Sequence, residues 1–411
     1  MDDAPVATAT RSQYPIRLGF APGSIAVPDP DHPGLRRAGL RTGAPYGVED
    51  LEGHVCLATD GATDGAGDGA ADSPGDASVT PDLATSGFDV VDLSAHDELQ
   101  AVLAEIRGAG RIDDEQAATI RSSLDGAVLE AQGAGRMKVM YLAEEGLIMR
   151  TAGPNGLSVV GPRSQGMNDH GGATSVHADQ DVYGTPMAQL LDGRAPPTFV
   201  HDSPDGHHHD GSLFLANLWI PLQQAVRPLV LADGRSIDRR RDQLRYGLAT
   251  DSFLERDDDQ VINDIWTFLH HDDQRWYFRS DMDHRTAYVF NTLSTAHGAG
   301  VLPGEDLAEW CYLALEAAED GAATGDAAAV AAAVAAPGRP EPPERTTPTL
   351  HAAIDALVDV LDEAAADPAG VCGDRSADWT ARSQAARRGV VRMSIEMRMV
   401  ISVEADGGRR P

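Results

Sequence analysis

The sequence predicts a mainly β fold with flanking helices: a double-stranded β-helix (jelly-roll) core carrying a helical insertion. Three observations predict it. First, short segments rich in Trp, Val, Tyr and Phe recur between Thr174 and Phe290, and those residue types favour strands. Second, Val390–Val403 alternates Val391, Met393, Ile395, Met397 and Met399 with Arg392, Ser394, Glu396 and Arg398, which is the period of a strand with two different faces. Third, the strand-rich stretches are separated by residues 303–386, where apolar residues recur at helical spacing. Many short strands feeding one candidate metal site suit a jelly roll, which closes most of its edges.

The elements follow in order. Residues 1–13 read as a loose tail. Ile16–Phe20 and His54–Leu57 are strand-like. Residues 60–87 are rich in Asp, Gly, Ala and Ser, and read as a disordered linker or long surface loop. Phe88–Leu93 is a strand. Ser94 then starts a helix, with Asp97 in a partial capping box and Leu99, Val102, Leu103 and Ile106 as its apolar stripe. A second helix is expected over Asp113–Gln132, ended by Gly133 and Gly135, and Met137–Leu142 is a strand. The strand-rich stretch comprises Ser175–Asp181, Leu213–Leu222, Leu229–Ala232, Val261–Phe268, Trp276–Phe278 and Ala287–Asn291. Glu305–Glu319 is helical, with Leu307, Trp310, Cys311 and Leu315 on one face. Thr347-Pro348 is an N-cap followed by proline at the first helical position, and Leu350, Ile354, Leu357 and Leu361 line the helix after it. The expected organisation is a tail (1–13), a jelly-roll domain (14–302 and 387–405) and a helical insertion (303–386) that packs on Trp310 or on the barrel.

Composition narrows the class. The chain has 411 residues, enough for a large core, and a net charge of −31, which repels nucleic acid and anionic membrane. Lys138 is its single lysine. That usage and the acidity fit a high-salt habitat or a GC-rich genome. Cys56, Cys311 and Cys372 are too few and too scattered for a disulfide framework or a zinc knuckle, so a reduced, cytoplasmic setting is expected. The first residues lack the basic and apolar regions of a signal peptide, and Ala327–Ala336 is too short to span a bilayer. The sequence leaves the oligomeric state open.

Chemistry concentrates in three places. His177 and Asp179 are two residues apart, so on a strand both face one side. His297 can add a third ligand from a later strand. Two imidazoles and one carboxylate suit non-haem Fe(II) and leave open positions for oxygen. Arg392 and Ser394 share the same i, i+2 relation and offer a guanidinium and a hydroxyl on one face, a pairing that suits a carboxylate. Other histidines compete less well: His284 reads as the turn entering a strand, while His201 and His207 to His209 read as a solvated loop whose consecutive residues do not converge. Trp219, Trp276 and Tyr277 read as core or pocket wall, and Glu396 with Arg398 as a framework pair.

The order His177-x-Asp179, His297, Arg392-x-Ser394-Ile395-Glu396-x-Arg398 resembles the Fe(II)/2-oxoglutarate-dependent oxygenases, in particular the group of the cephamycin 7α-hydroxylase subunit and the fungal gibberellin desaturase. Asn217-Leu218-Trp219-Ile220-Pro221-Leu222, Arg227-Pro228-Leu229 and Arg275-Trp276-Tyr277-Phe278 are similar to further strands of that group, and Ile148-Met149-Arg150 and Gly161-Pro162 to its approach to the iron motif. The resemblance runs from about Gly87 to His297 and resumes at about Val390. One departure stands out: 95 positions separate His297 from Arg392, where the family has a short loop, so the resemblance implies an insertion between them.

The resemblance implies that His177, Asp179 and His297 hold Fe(II), and that Arg392 and Ser394 bind the C5 carboxylate of the cosubstrate 2-oxoglutarate. With O2, such a site hydroxylates or desaturates an unactivated C–H of a small-molecule substrate. Asp179 fills the position that halogenases leave vacant. Two further readings remain open at the level of sequence. One is a jelly-roll iron dioxygenase that uses no 2-oxoglutarate, with Arg392 paired internally. The other is a non-catalytic jelly roll that binds metal or ligand without turnover.

Overall fold

The computed structural model describes residues 12–30, 33–38, 51–63, 79, 81–143, 147–159, 166–168, 170–180, 213–249 and 262–404. Residues 1–11, 64–78, 161–162, 181, 201 and 207–209, on which several sequence expectations fall, lie outside them.

Two sheets make the core. The larger holds β1 (Gln13–Phe20), β2 (Ala26–Pro28), β3 (Arg36–Ala38), β4 (Glu52–Asp60), β9 (His177–Ala178), β11 (Leu229–Ala232), β12 (Gln243–Ala249), β13 (Ile262–Phe268), β14 (Trp276–Phe278) and β16 (His297–Ala299), in the order β1-β4-β14-β11-β16-β9-β13-β12-β3-β2. The smaller holds β5 (Phe88–Asp92), β6 (Val128–Ala131), β7 (Gly135–Leu142), β8 (Ile148–Ala152), β10 (Leu213–Gln223), β15 (Thr286–Asn291) and β17 (Arg392–Glu404). Its order is β10-β15-β5-β6-β7-β17-β8, and β10 also pairs with β17, so six strands close on themselves. This is the mainly β, jelly-roll architecture with flanking helices.

Period-two alternation sorts the side chains. On β10, Asn217 and Trp219 face the larger sheet while Ala216, Leu218 and Ile220 face away from it, as the two separate clusters they join require. The space between the sheets is filled by Phe88, Trp219 and Phe290 from one side and Leu229, Leu231 and Tyr277 from the other. The outer face of the smaller sheet is covered by α1 (Asp97–Ala109) and α2 (Asp114–Leu124) through Leu99, Leu103, Ile106, Ile120 and Leu124. Burial of each such side chain is worth about 1.5–3 kcal/mol.

After the short α3 (Arg239–Asp242), five helices lie between β16 and β17: α4 (Glu305–Thr324), α5 (Ala327–Val334), α6 (Pro348–Ala366), α7 (Pro368–Cys372) and α8 (Ser376–Gly389). They pack on the outer face of the larger sheet, where Leu307, Leu315, Leu350, Leu357 and Trp379 join one core with Ile16, Phe20, Val230, Trp266 and Trp276. Trp310 is partly buried against this cluster. Thr347 caps α6 as expected, its Oγ1 accepting from the Leu350 N–H at 3.3 Å.

Three local expectations are corrected. α1 begins at Asp97 rather than Ser94, with His96 at the N-cap and no side-chain cap bond. α2 stops at Leu124; Gly126 turns the chain at φ 68° and residues 128–131 pair with β7 and β5. A strand partner there outweighs the local helical pattern. The strand expected over Ser175–Asp181 is only two residues long, with Asp179 just past its end.

Candidate metal and anion site

β9 and β16 are neighbours in the larger sheet, and His177 pairs directly opposite His297. Their imidazole centroids are 4.4 Å apart. Asp179 follows β9 and turns Oδ1 between them, 3.6 Å from Nε2 of His177 and 3.5 Å from Nε2 of His297. All three donor atoms lie within 4.8 Å of one another, and among the described residues they are the one cluster of this kind. The carboxylate-to-imidazole distances suit donors sharing one ion at about 2.0–2.2 Å.

Each ring is set by the same device. Nδ1 of His177 lies 2.9 Å from the Ser175 carbonyl, and Nδ1 of His297 lies 2.9 Å from the Thr295 carbonyl. A carbonyl only accepts, so each Nδ1 carries a hydrogen and each Nε2 is the ring nitrogen turned toward Asp179 Oδ1. Phe290 packs on His297 with centroids 4.5 Å apart.

Asp179 is buried, and burial works against its charge. His177, His297 and Arg398 outweigh that cost and hold the carboxyl well below the usual carboxylate range. Its second oxygen is also occupied: Asn217 Nδ2 donates to Oδ2 at 3.1 Å. Asn217 thus turns Oδ1 toward the two imidazoles. In sequence Asn217 stands only as part of a strand motif. Its available signal was the inward alternation Asn217, Trp219 on β10.

Arg392 and Ser394 lie on the inner face of β17, in register with Ala152 and Arg150 of β8. Arg392 is 2% exposed and Ser394 1%. One guanidinium nitrogen of Arg392, Nη1, donates to the Arg227 carbonyl at 3.2 Å, and the head lies 5.8 Å from the Trp219 ring centroid. No carboxylate hydrogen-bonds to Arg392 among the described residues, and its Nε and the Ser394 Oγ are buried without partners. The surrounding residues are small: a methyl group placed on Gly172 would touch Arg392 Nη2, Ala152 Cβ and Ala299 Cβ at 3.6–3.8 Å. Burial, with Arg150 and Arg227 nearby, pushes the Arg392 guanidinium down to about 9. A buried cation with spare donors has the chemistry to receive an anion.

Glu396 has a further partner beyond the expected Arg398, whose charge also acts on it: its Oε1 accepts from Nε (2.9 Å) and Nη2 (2.7 Å) of Arg150 on β8. Burial opposes the Glu396 charge, and Arg150 outweighs burial to keep the carboxyl below its ordinary value. The sequence carried no sign of this partner, which is 246 positions away. Trp219 stacks on Tyr288, with centroids 5.7 Å apart, as a wall of the same interior. His284 lies outside the cluster.

A family model described as "YDMC: Oxidoreductase/YMDC permease-like domain" matches residues 157–303, a span containing His177, Asp179 and His297. No curated protein matches the chain. Among solved structures the chain is similar to "iron and alpha-ketoglutarate-dependent endoperoxidase NvfI", at 13% identity and a TM-score of 0.42 over 96% of this chain and 98% of that one. It is similar to the same protein "with different conformation", at 14% identity and a TM-score of 0.42 over 96% and 99%.

Proposed function

We propose that this chain is an Fe(II)/2-oxoglutarate-dependent oxygenase that hydroxylates or desaturates an unactivated C–H bond of a small metabolite. His177, Asp179 and His297 hold the iron, and Arg392 with Ser394 hold the C5 carboxylate of 2-oxoglutarate. The observation that carries this is the pairing of two sites on facing sheets: a His-Asp-His cluster with its ligand atoms gathered together, and a buried guanidinium with no carboxylate hydrogen-bonded to it among the described residues.

The donor set fits the metal. Both imidazoles are locked in the liganding tautomer by main-chain carbonyls, and Asn217 turns one oxygen of Asp179 toward them. The spare donors of Arg392 and Ser394 fit a carboxylate, and the absence of a side chain on Gly172 leaves Arg392 Nη2 uncovered on that side. A keto-acid-independent enzyme would pair Arg392 with an internal acid, which favours the reading with 2-oxoglutarate. Iron, the oxoacid and O2 together supply the oxidising chemistry that breaks a C–H bond. The chain holds that chemistry in place and surrounds it with Trp219, Tyr288 and Phe290, which keep water out.

The triad is tested by replacing each ligand. His177→Ala, Asp179→Ala and His297→Ala each abolish 2-oxoglutarate-dependent O2 consumption and weaken Fe(II) binding, with the circular dichroism of the parent retained. Full activity in any one variant removes that residue from the ligand set.

A further inference from the structure

Glu305 is the first residue of α4 and is fully buried. A buried carboxylate needs partners, and Glu305 finds three main-chain N–H donors. Oε1 accepts from Leu302 and Arg227, each at 2.9 Å, and Oε2 accepts from Asn155 at 2.7 Å. Two of those donors are unusual. Asn155 (φ 54°) and Arg227 (φ 52°) are the only non-glycine residues with left-handed backbone among the described residues. L-residues adopt that conformation at a cost, and it persists where the surroundings hold it. One carboxylate holds both turns.

The turn at Arg227 leads to the anion receptor. Its carbonyl is the hydrogen-bond acceptor for Nη1 of Arg392. The turn at Asn155 is tied to the same helix a second time, its side-chain amide donating to Asp306 at 2.8 Å and to Glu309 at 2.6 Å. A chain of bonded groups therefore runs from the first turn of α4, through a strained main chain, to the guanidinium.

The geometry points to Glu305 as a positioning residue for the oxoacid anchor: it clamps the left-handed turns at Asn155 and Arg227 and so fixes the carbonyl that orients Arg392. This inference rests on the proposed role of Arg392 and adds a regulator of that role from the helical segment between β16 and β17. Glu305→Gln keeps the size of the side chain but sets an amide N–H against a main-chain donor. The clamp then loses the Asn155 bond, or both the Leu302 and Arg227 bonds, according to which oxygen the amide nitrogen replaces.

The test uses Co(II)-loaded protein, which does not turn over, and measures binding by calorimetry for 2-oxoglutarate and for pyruvate. Pyruvate shares the keto-acid end and lacks the distal carboxylate. Glu305→Gln is expected to weaken 2-oxoglutarate binding about tenfold, while pyruvate and Co(II) affinities stay within about twofold of the parent. Glu305→Asp, whose shorter side chain withdraws the carboxylate, is measured alongside in case Glu305→Gln does not fold. Unchanged 2-oxoglutarate affinity in the folded variant, or equal weakening of pyruvate and 2-oxoglutarate, overturns the inference. Arg392→Ala separates the two levels. If it leaves 2-oxoglutarate affinity unchanged, the anchor itself is wrong. If it weakens binding and Glu305→Gln does not, only the role of Glu305 is wrong.

Discussion

Arg392 sits in the interior with a carbonyl and an aromatic ring as its neighbours, and burial pushes its guanidinium down to about 9. An anion bound there restores the missing counter-charge and raises that value again. The sign follows from linkage. Binding needs the protonated guanidinium, so it is at full strength below the free-state value and weakens as pH rises through it. The affinity of the metal-loaded protein for 2-oxoglutarate is therefore expected to be flat from about pH 7 to 8.5 and to fall toward about tenfold per unit above pH 9. Calorimetry across that range checks it, and a flat profile to pH 10.5 removes Arg392 as the titrating anchor. At this scale much of the site was legible in sequence. His177 with Asp179, and Arg392 with Ser394, announce themselves because an i, i+2 spacing on a strand places both groups on one face. Asn217, Glu396 with Arg150, and Glu305 were hidden because each acts on a residue far away in sequence, and only the register of β10, β17 and β8 and the start of α4 bring those pairs together.

Among elements, the strongest local signals were the alternating strand at 392–404 and the capped helix at 348–366. Both carry a clean period, two in the first and 3.6 in the second, and a period survives whatever the element packs against. What the period does not give is the packing partner. Leu357 and its neighbours on α6 were expected on Trp310 or on the barrel, and they join both in one core behind the larger sheet. Where local pattern and long-range pairing disagreed, as at 125–132, pairing won. The position of α6 yields a separable effect. Leu357→Ala removes a fully buried side chain and is expected to destabilise the protein by about 2–5 kcal/mol, read as a lower denaturant midpoint. Fe(II) affinity should stay at the parent value, because Leu357 lies on the face of the sheet opposite the ligands. A matching loss of iron affinity would tie the helices to the metal cluster more directly than the packing implies.

At the scale of the molecule, the two sheets divide the work. The larger carries the three proposed ligands on β9, its following residue and β16; the smaller carries the guanidinium and hydroxyl of the proposed anchor on β17 and, on β10, the amide bonded to Asp179. Helices seal the outer faces, and no helix among the described residues is long and apolar enough to cross a membrane. In the proposed function these two half-sites converge on one metal-bound oxoacid. The most direct test is an anaerobic titration of the Fe(II)-loaded protein with 2-oxoglutarate, followed by visible absorption. A saturable metal-to-ligand charge-transfer band is expected, absent in His177→Ala. In Arg392→Ala the same band requires about ten to a hundred times more 2-oxoglutarate. A protein that binds Fe(II) yet develops no band at saturating 2-oxoglutarate contradicts it.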